Sequence, residues 1–258
     1  MTSTIKASVP PTQTIQILRR ERLFYLIASL VMILGVVIGF HMFYLHGLND
    51  AGLPVTRQDA PLVYVHAGLM TCWIILFLVQ CGLVVSGNRR LHIRVGKAAI
   101  ALYFLIIPIG VITALLQIHY ASAHSFPPFG PYRFLTLPLT EIANFAFFIG
   151  AALLFRRTPA LHRALMMMGT LSVAQAGIGR IGVVRNGFAH ATHAAFFPTF
   201  WGSTVAVVLL LLLVKLAMTH RFDHHFVTAM ALFISSGLVS SYVSTTGWWL
   251  HLAQNITR

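Results

Sequence analysis

Histidine is the residue type in this chain that is best suited to chemistry. The chain has 13 histidines but only five acidic residues. Imidazole is the most common side-chain ligand for zinc, copper and haem iron, and one metal ion needs only two to four ligands from different helices. Eight of the histidines lie near the ends of apolar segments: His41, His46, His66, His119, His124, His190, His193 and His251. They predict a site for haem b or a transition metal; the alternative is that each imidazole only places its polar tip in water.

The predicted metal ligands are five of these eight histidines. His190 and His193 are three residues apart, so they would share one face if this stretch is helical. The other three come from the ends of different apolar segments and are His41, His66 and His119. We expect all five near one face of the molecule.

A second histidine pair, His92 and His162, is the candidate for an inner haem. The two residues are predicted at one depth on two helices, which is how a helix bundle can hold a b-type haem. Against this interpretation, both lie among arginines at the water boundary, whereas haem ligands usually lie one or two turns further inside. The sequence leaves both interpretations open.

Glu141 lies within an apolar segment, where an acid is unfavourable unless it is paired, protonated or hydrated. At a rise of about 1.5 Å per residue it would lie roughly 10 Å below the boundary. Asn144 follows one turn later, and Arg180 is the nearest counter-charge by depth. With Gln175 they form the predicted ligand-binding group. The structural alternatives are a simple ion pair between Glu141 and Arg180, and an amide at Gln175 that only joins helices.

The composition indicates which elements position these residues. Hydrophobic residues make up 57% of the chain and charged residues 9%, whereas soluble domains have about 25% charged residues. Apolar segments of roughly 20 residues recur, and each is long enough to cross a hydrocarbon layer of about 30 Å as a helix. The sequence therefore predicts an all-α polytopic bundle of about seven transmembrane helices. The predicted spans are residues 23–45, 62–85, 97–118, 134–155, 165–181, 200–218 and 226–250.

The basic residues indicate how the bundle is oriented. The formal net charge is +13, but the basic residues lie in short clusters between apolar segments, so we do not expect a nucleic-acid partner. The clusters alternate with the spans, which places the N-terminus in the cytoplasm and the C-terminus outside. The predicted organisation is a cytoplasmic tail at 1–22, a single seven-helix transmembrane domain at 23–251 and an external tail at 252–258. We expect a multi-pass protein in the lipid bilayer of a bacterial inner (plasma) membrane.

Three short motifs between residues 60 and 185 resemble a family of uncharacterised bacterial seven-span inner-membrane proteins. That family has a span running from His through Trp to Gln, a turn of the type Leu-His-Arg-Arg-x-Gly and a later turn of the type Leu-His-Lys-Arg-Leu-Met. The corresponding residues here are His66-Ala67-Gly68 through Trp73 to Gln80, Leu91-His92-Ile93-Arg94-Val95-Gly96 and Leu161-His162-Arg163-Ala164-Leu165-Met166. Ile93 and Ala164 depart from the family pattern, which has basic residues there. The resemblance implies the architecture but no activity.

Three hypotheses on function follow. The first is a redox or metal-handling protein whose site combines the histidines with Glu141. The second is a small-molecule or proton-coupled transporter or sensor that uses Glu141, Asn144 and Arg180. The third is an accessory subunit of a larger membrane complex. The expected partners besides lipid are such a membrane complex or further copies of this chain in a homo-oligomer. The sequence has no phosphate-binding glycine loop and no His-Glu-x-x-His, Cys-x-x-Cys or Gly-x-Ser-x-Gly motif, so enzyme activity stays open.

Overall fold

The described part of the chain is almost entirely α-helical. A computed structural model describes residues 11–49, 52–55, 60–120, 130–182 and 201–257, and within these ranges the only β-type pairing is an isolated bridge between Leu48 and Pro54. The helices there are α1 (Pro11–Gly39), α2 (His41–His46), α3 (Ala60–Val85), α4 (Arg89–Tyr120), α5 (Pro131–Leu154), α6 (Pro159–Ile178), α7 (Gly202–Thr219), α8 (His224–Val243) and α9 (Gly247–Ile256). The prediction of an all-α protein is confirmed.

The prediction of seven spans needs correction. Of the described helices, six are long and apolar enough to cross a membrane: α1, α3, α4, α5, α7 and α8. The predicted span 165–181 corresponds to α6, which is not among these six. Two other predicted spans are divided: 23–45 breaks after Gly39 into α1 and α2, and 226–250 breaks after Val243 into α8 and α9. Helix α1 also begins at Pro11, within the stretch predicted as a tail.

The second of these breaks has a local cause. Ser and Thr are frequent at 240–246, and their hydroxyl groups compete for backbone groups at helix ends. Thr246 accepts a hydrogen bond from the backbone amide of Trp249 (3.3 Å) and so caps α9. Hydropathy alone does not register this cap, which is why the sequence predicted one continuous span.

Helix α6 lies at the centre of the bundle and packs against α1, α3, α5, α7 and α8. It carries glycines at its tightest contacts: a Cβ on Gly177 would lie 2.7 Å from the Cα of Val36 in α1, and one on Gly169 would lie 2.5 Å from Cδ1 of Ile149 in α5. Small residues allow helix backbones to approach closely. Because α6 is surrounded by protein, it needs fewer large apolar side chains than helices that face lipid, which explains its lower hydropathy.

Charged residues at the ends of four helices meet at one end of the bundle, here called the basic end. Glu21 of α1 forms ion pairs with Arg163 at the start of α6 (2.9 Å) and with Lys215 late in α7 (3.4 Å). Lys215 also pairs with Asp223, which immediately precedes α8 (2.7 Å). The N-terminal half of α1 and the turns at 155–158 and 220–223 therefore share this end.

The turn between α3 and α4 lies at the same end. Gln80 in α3 donates a hydrogen bond to the backbone carbonyl of His92 in α4 (3.2 Å), and the charge of His92 acts on His162 in α6. At the opposite end, here called the far end, the indole N–H of Trp249 in α9 donates to the carbonyl of Tyr132 at the start of α5 (2.9 Å). The assignment of the basic end to the cytoplasm stays a prediction.

Candidate functional site

Glu141 lies on the side of α5 that faces the bundle centre. The tight contact of Gly169 with Ile149 and Phe148 shows which side of α5 packs on α6. Glu141 precedes Phe148 by seven residues, close to two helical turns, so it has nearly the same orientation. The residue is 8% exposed, and its Oε1 atom has no hydrogen-bond partner in the described part of the protein. The acid is therefore inside the protein and not on the lipid-facing surface.

Arg180 lies beyond the end of α6 and is the cation that acts on Glu141. Its charge interacts with the Glu141 carboxylate. The guanidinium donates a hydrogen bond to the carbonyl of Ala176 and lies 4.6 Å above the ring of Phe40. The Glu141 carboxylate is thus near a positive charge, and within the described residues its Oε1 atom has no hydrogen-bond partner.

Asn144 takes part in a different contact. Its amide donates to the hydroxyl of Ser236 in α8 (2.8 Å), and one turn earlier Thr140 donates to the hydroxyl of Ser240 (2.9 Å). These two hydrogen bonds join α5 to α8. The amide of Asn144 is already used by the fold, so its predicted role in a ligand pocket lacks support from the geometry.

Gln175 in α6 lies at nearly the same depth as Glu141. Gly169 of α6 lies opposite Ile149 and Phe148 of α5. The two helices are antiparallel, so Gln175, six residues after Gly169, lies opposite about residue 142 of α5. Gln175 is 2% exposed, and neither of its amide atoms has a partner in the described ranges. Among the described residues there is therefore no hydrogen bond by which this amide joins two helices.

Within the described residues, four further buried polar groups near the far end have no hydrogen-bond partner, and the sequence prediction missed them. They are the hydroxyls of Thr136, Ser203 and Thr204 and the indole N–H of Trp201, each at most 4% exposed. Ser203 and Thr204 open α7, so the only sequence signal was a short polar start to a very apolar helix. Together with Glu141 and Gln175, these four residues are called the far-end polar group.

The predicted metal ligands do not form a metal site in the described residues. No group of three or more His, Cys, Asp or Glu side chains there could hold a metal ion. His41 is exposed and bonds through Nδ1 to the carbonyl of Ile38 (2.7 Å), and His119 is also exposed. His190 and His193 lie outside the described residues, as does His124.

His66 is the predicted ligand that the fold brings beside the Glu141 region. A Cβ on Gly110 of α4 would lie 3.9 Å from Cε1 of His66 and 3.1 Å from Cδ1 of Ile142, the residue after Glu141. Nδ1 of His66 is buried and has no partner among the described residues. This imidazole is an additional polar group at the edge of the far-end polar group.

His92 and His162 lie close enough to interact electrostatically. Nδ1 of His162 is engaged with the carbonyl of Ala152 at the end of α5 (2.8 Å), whereas Nδ1 of His92 is buried without a partner in the described part of the chain. An inner haem at His92 and His162 stays a prediction from the sequence.

A buried ionic network at the basic end was also missed. Lys215 is 2% exposed, and besides its two carboxylate partners Nζ donates to the hydroxyl of Tyr25 (3.1 Å) and lies over the ring of Phe226 (5.0 Å). Burial raises the pKa of Asp223, but the hydrogen bond and charge of Lys215 outweigh this effect, so the pKa is below its ordinary value. No feature of the sequence indicated this network, because Glu21 and Lys215 are 194 residues apart.

Comparison of the chain with family models, with curated proteins and with solved structures found no match. The family resemblance suggested by the three motifs therefore stays a prediction, and the site rests on its own geometry.

Proposed function

We propose that this integral membrane protein is a transporter or sensor that binds a proton and a small polar solute at the far-end polar group. The observation that carries the proposal is the position of Glu141, an acid inside the bundle whose Oε1 atom has no hydrogen-bond partner among the described residues. Acidic residues within membrane-spanning segments usually mark ligand or proton sites.

The surroundings of Glu141 support the same proposal. A buried polar group without a hydrogen bond destabilises a protein by about 1–3 kcal/mol, and within the described residues the far-end polar group includes several such groups. The group supplies a carboxylate, an amide, hydroxyls and an indole N–H, which suit a ligand with both hydrogen-bond donors and acceptors. No observation favours the redox hypothesis or the accessory-subunit hypothesis to a similar extent.

Infrared difference spectroscopy can test the protonation step. The protein is reconstituted in lipid and its pH is changed from mildly acidic to mildly alkaline. We expect a carboxylic acid C=O band that changes with pH and disappears in Glu141→Gln but persists in Glu21→Gln, where the acid lies in the basic-end network. A band that is identical in all three proteins would contradict the proposal.

Thermal unfolding with small probes tests solute binding. Choline, glycine betaine and glycerol represent cationic, zwitterionic and neutral polar solutes. At least one of these solutes should raise the midpoint temperature of unfolding of the wild-type protein but not that of Gln175→Leu. Ser236→Ala is the control, because it removes the partner of Asn144 in the neighbouring α5–α8 interface, and its response should match wild type. The proposal of solute binding at this group is wrong if no solute raises the unfolding midpoint of the wild-type protein. It is also wrong if both variants lose the response equally.

A further inference from the structure

A cleft of about 370 Å³ opens at the basic end between α1, α6, α7 and α8. It lies away from the far-end polar group, at the other end of the bundle. Its charged and titratable lining residues are Glu21, Arg163, Lys215, Arg221, Asp223 and His225. His224 lines it too, with its ring 4.2 Å from that of His225.

The charges of this cleft favour an anion. Three cations and two carboxylates line it, and both carboxylates are engaged within the protein. Glu21 pairs with Arg163 and Lys215, and Asp223 pairs with Lys215 and caps α8 by accepting the amide hydrogen of Phe226. The net positive charge and the two imidazoles are then left to act on a ligand. In the described structure, Nε of Arg163 is buried and has no hydrogen-bond partner.

The remaining walls of the cleft are apolar. Ile17, Leu18 and Phe222 line it, and Leu18 and Phe222 are 42% and 69% exposed. Phe222 lies in the turn between two candidate membrane spans, where a bilayer would place the headgroups of one leaflet. A ligand with an anionic head and apolar chains would contact both kinds of wall, whereas a small soluble anion would use only the basic one.

We propose that this cleft binds the phosphate of an anionic lipid headgroup from the leaflet at the basic end. Basic pockets between transmembrane helices bind such headgroups on the cytoplasmic side of membranes. Arg163 and Arg221 supply the charge, the imidazoles of His224 and His225 supply further hydrogen bonds, and Leu18 and Phe222 contact the acyl chains.

Native mass spectrometry of the protein released from nanodiscs tests this site. The nanodiscs contain phosphatidylcholine with a minor fraction of phosphatidylglycerol. Wild type should retain phosphatidylglycerol preferentially, and Arg221→Gln should reduce that retention about fivefold. Arg89→Gln and Arg90→Gln are matched controls, since both arginines are exposed at the basic end but outside the cleft. They should retain lipid as wild type does.

Two results would overturn the proposal. Equal loss of phosphatidylglycerol in the cleft variant and in the controls would mean that the basic end attracts anionic lipid only through its total charge. Thermal stabilisation by inorganic phosphate or glycerol phosphate, with no preference for phosphatidylglycerol, would assign the cleft to a soluble phosphate compound. Leu18→Ser separates the cases further, because it should weaken lipid retention without altering any effect of inorganic phosphate.

Discussion

Lys215 shows how this bundle accommodates a buried charge. Its ammonium is enclosed by two carboxylates, a tyrosine hydroxyl and aromatic rings. Removing one partner of a buried ion pair destabilises a protein far more than replacing the whole pair, because a buried charge is left uncompensated.

Lys215→Met should therefore lower the free energy of unfolding by about 3–5 kcal/mol. Unfolding by SDS in mixed micelles, followed by tryptophan fluorescence, measures the change. Lys97→Met is the control, since Lys97 is exposed, and its effect should be small. Equal stability of the two variants would show that the network contributes little.

Asp223 should make stability depend on acid pH. Its pKa in the folded protein is below the ordinary value of 3.8 despite burial, which acts in the opposite direction, because Lys215 binds its charged form. The unfolded chain then takes up a proton first as the pH falls. The stabilisation by Asp223 should be complete above its ordinary pKa and be lost as the pH falls through the lower, folded pKa.

The variant that isolates this effect is Asp223→Asn, because asparagine still caps a helix but carries no charge. The stability difference between wild type and variant, measured over a series of pH values, should be constant near neutrality and shrink in strong acid. A difference that grows in acid would have the wrong sign.

At the scale of single residues, the sequence identified some members of the candidate sites and missed others, and the physical reason can be given for each. Glu141 could be identified because an acid stands out within an apolar segment. Lys215 could not, because its partner Glu21 is far away in the sequence and only the packing of α1 on α7 brings them together. The buried hydroxyls of Ser203 and Thr204 in α7 could hardly be identified from the sequence, because Ser and Thr are ordinary residues in membrane helices.

At the scale of elements, the α1–α6 crossing is the tightest contact. A Cβ on Gly39 would collide with the carbonyl of Gly177, and one on Gly177 would lie 2.7 Å from the backbone of Val36. Neither obstacle is a flexible side chain, so the helices would have to separate.

Gly177→Ala should therefore destabilise the protein by about 1–3 kcal/mol, the usual effect of overpacking. Gly68→Ala and Gly82→Ala are matched controls in α3, because a Cβ at either position would have no neighbour within 4 Å. They should be neutral or slightly stabilising in the same SDS unfolding experiment. A neutral Gly177→Ala would mean that the crossing can relax.

The α5–α8 interface gives a separate prediction. A double-mutant cycle with Asn144→Ala and Ser236→Ala should give a coupling energy of about 0.6 kcal/mol, the average for hydrogen bonds between membrane helices. No coupling would mean that water replaces the bond in each single variant. The sequence alone does not show which helix Ser236 contacts.

The boundaries of α3 followed closely from its apolar segment. The predicted span 62–85 and α3 (Ala60–Val85) agree closely. Helix α6 is different because its neighbours are other helices. Packing against them favours small and polar residues, so hydropathy is a poor guide to this helix.

For the whole molecule, the gathering of basic turns at one end predicts its orientation. Single cysteines placed at Asn88, Arg156 and Arg221 should react with an impermeant maleimide only in inside-out vesicles, after Cys72 and Cys81 are replaced by serine. A cysteine at His251 should react only in right-side-out vesicles. Reaction of all four from the same side would refute the orientation.

The central position of α6 has a consequence for how the chain enters the membrane during synthesis. A helix that is less apolar than its neighbours partitions poorly into lipid by itself, so α6 should leave the translocon only together with α5, to which a four-residue turn connects it. Nascent chains truncated just after α6 would expose its glycines and amides to acyl chains, and quality-control proteases of the membrane would be expected to degrade them.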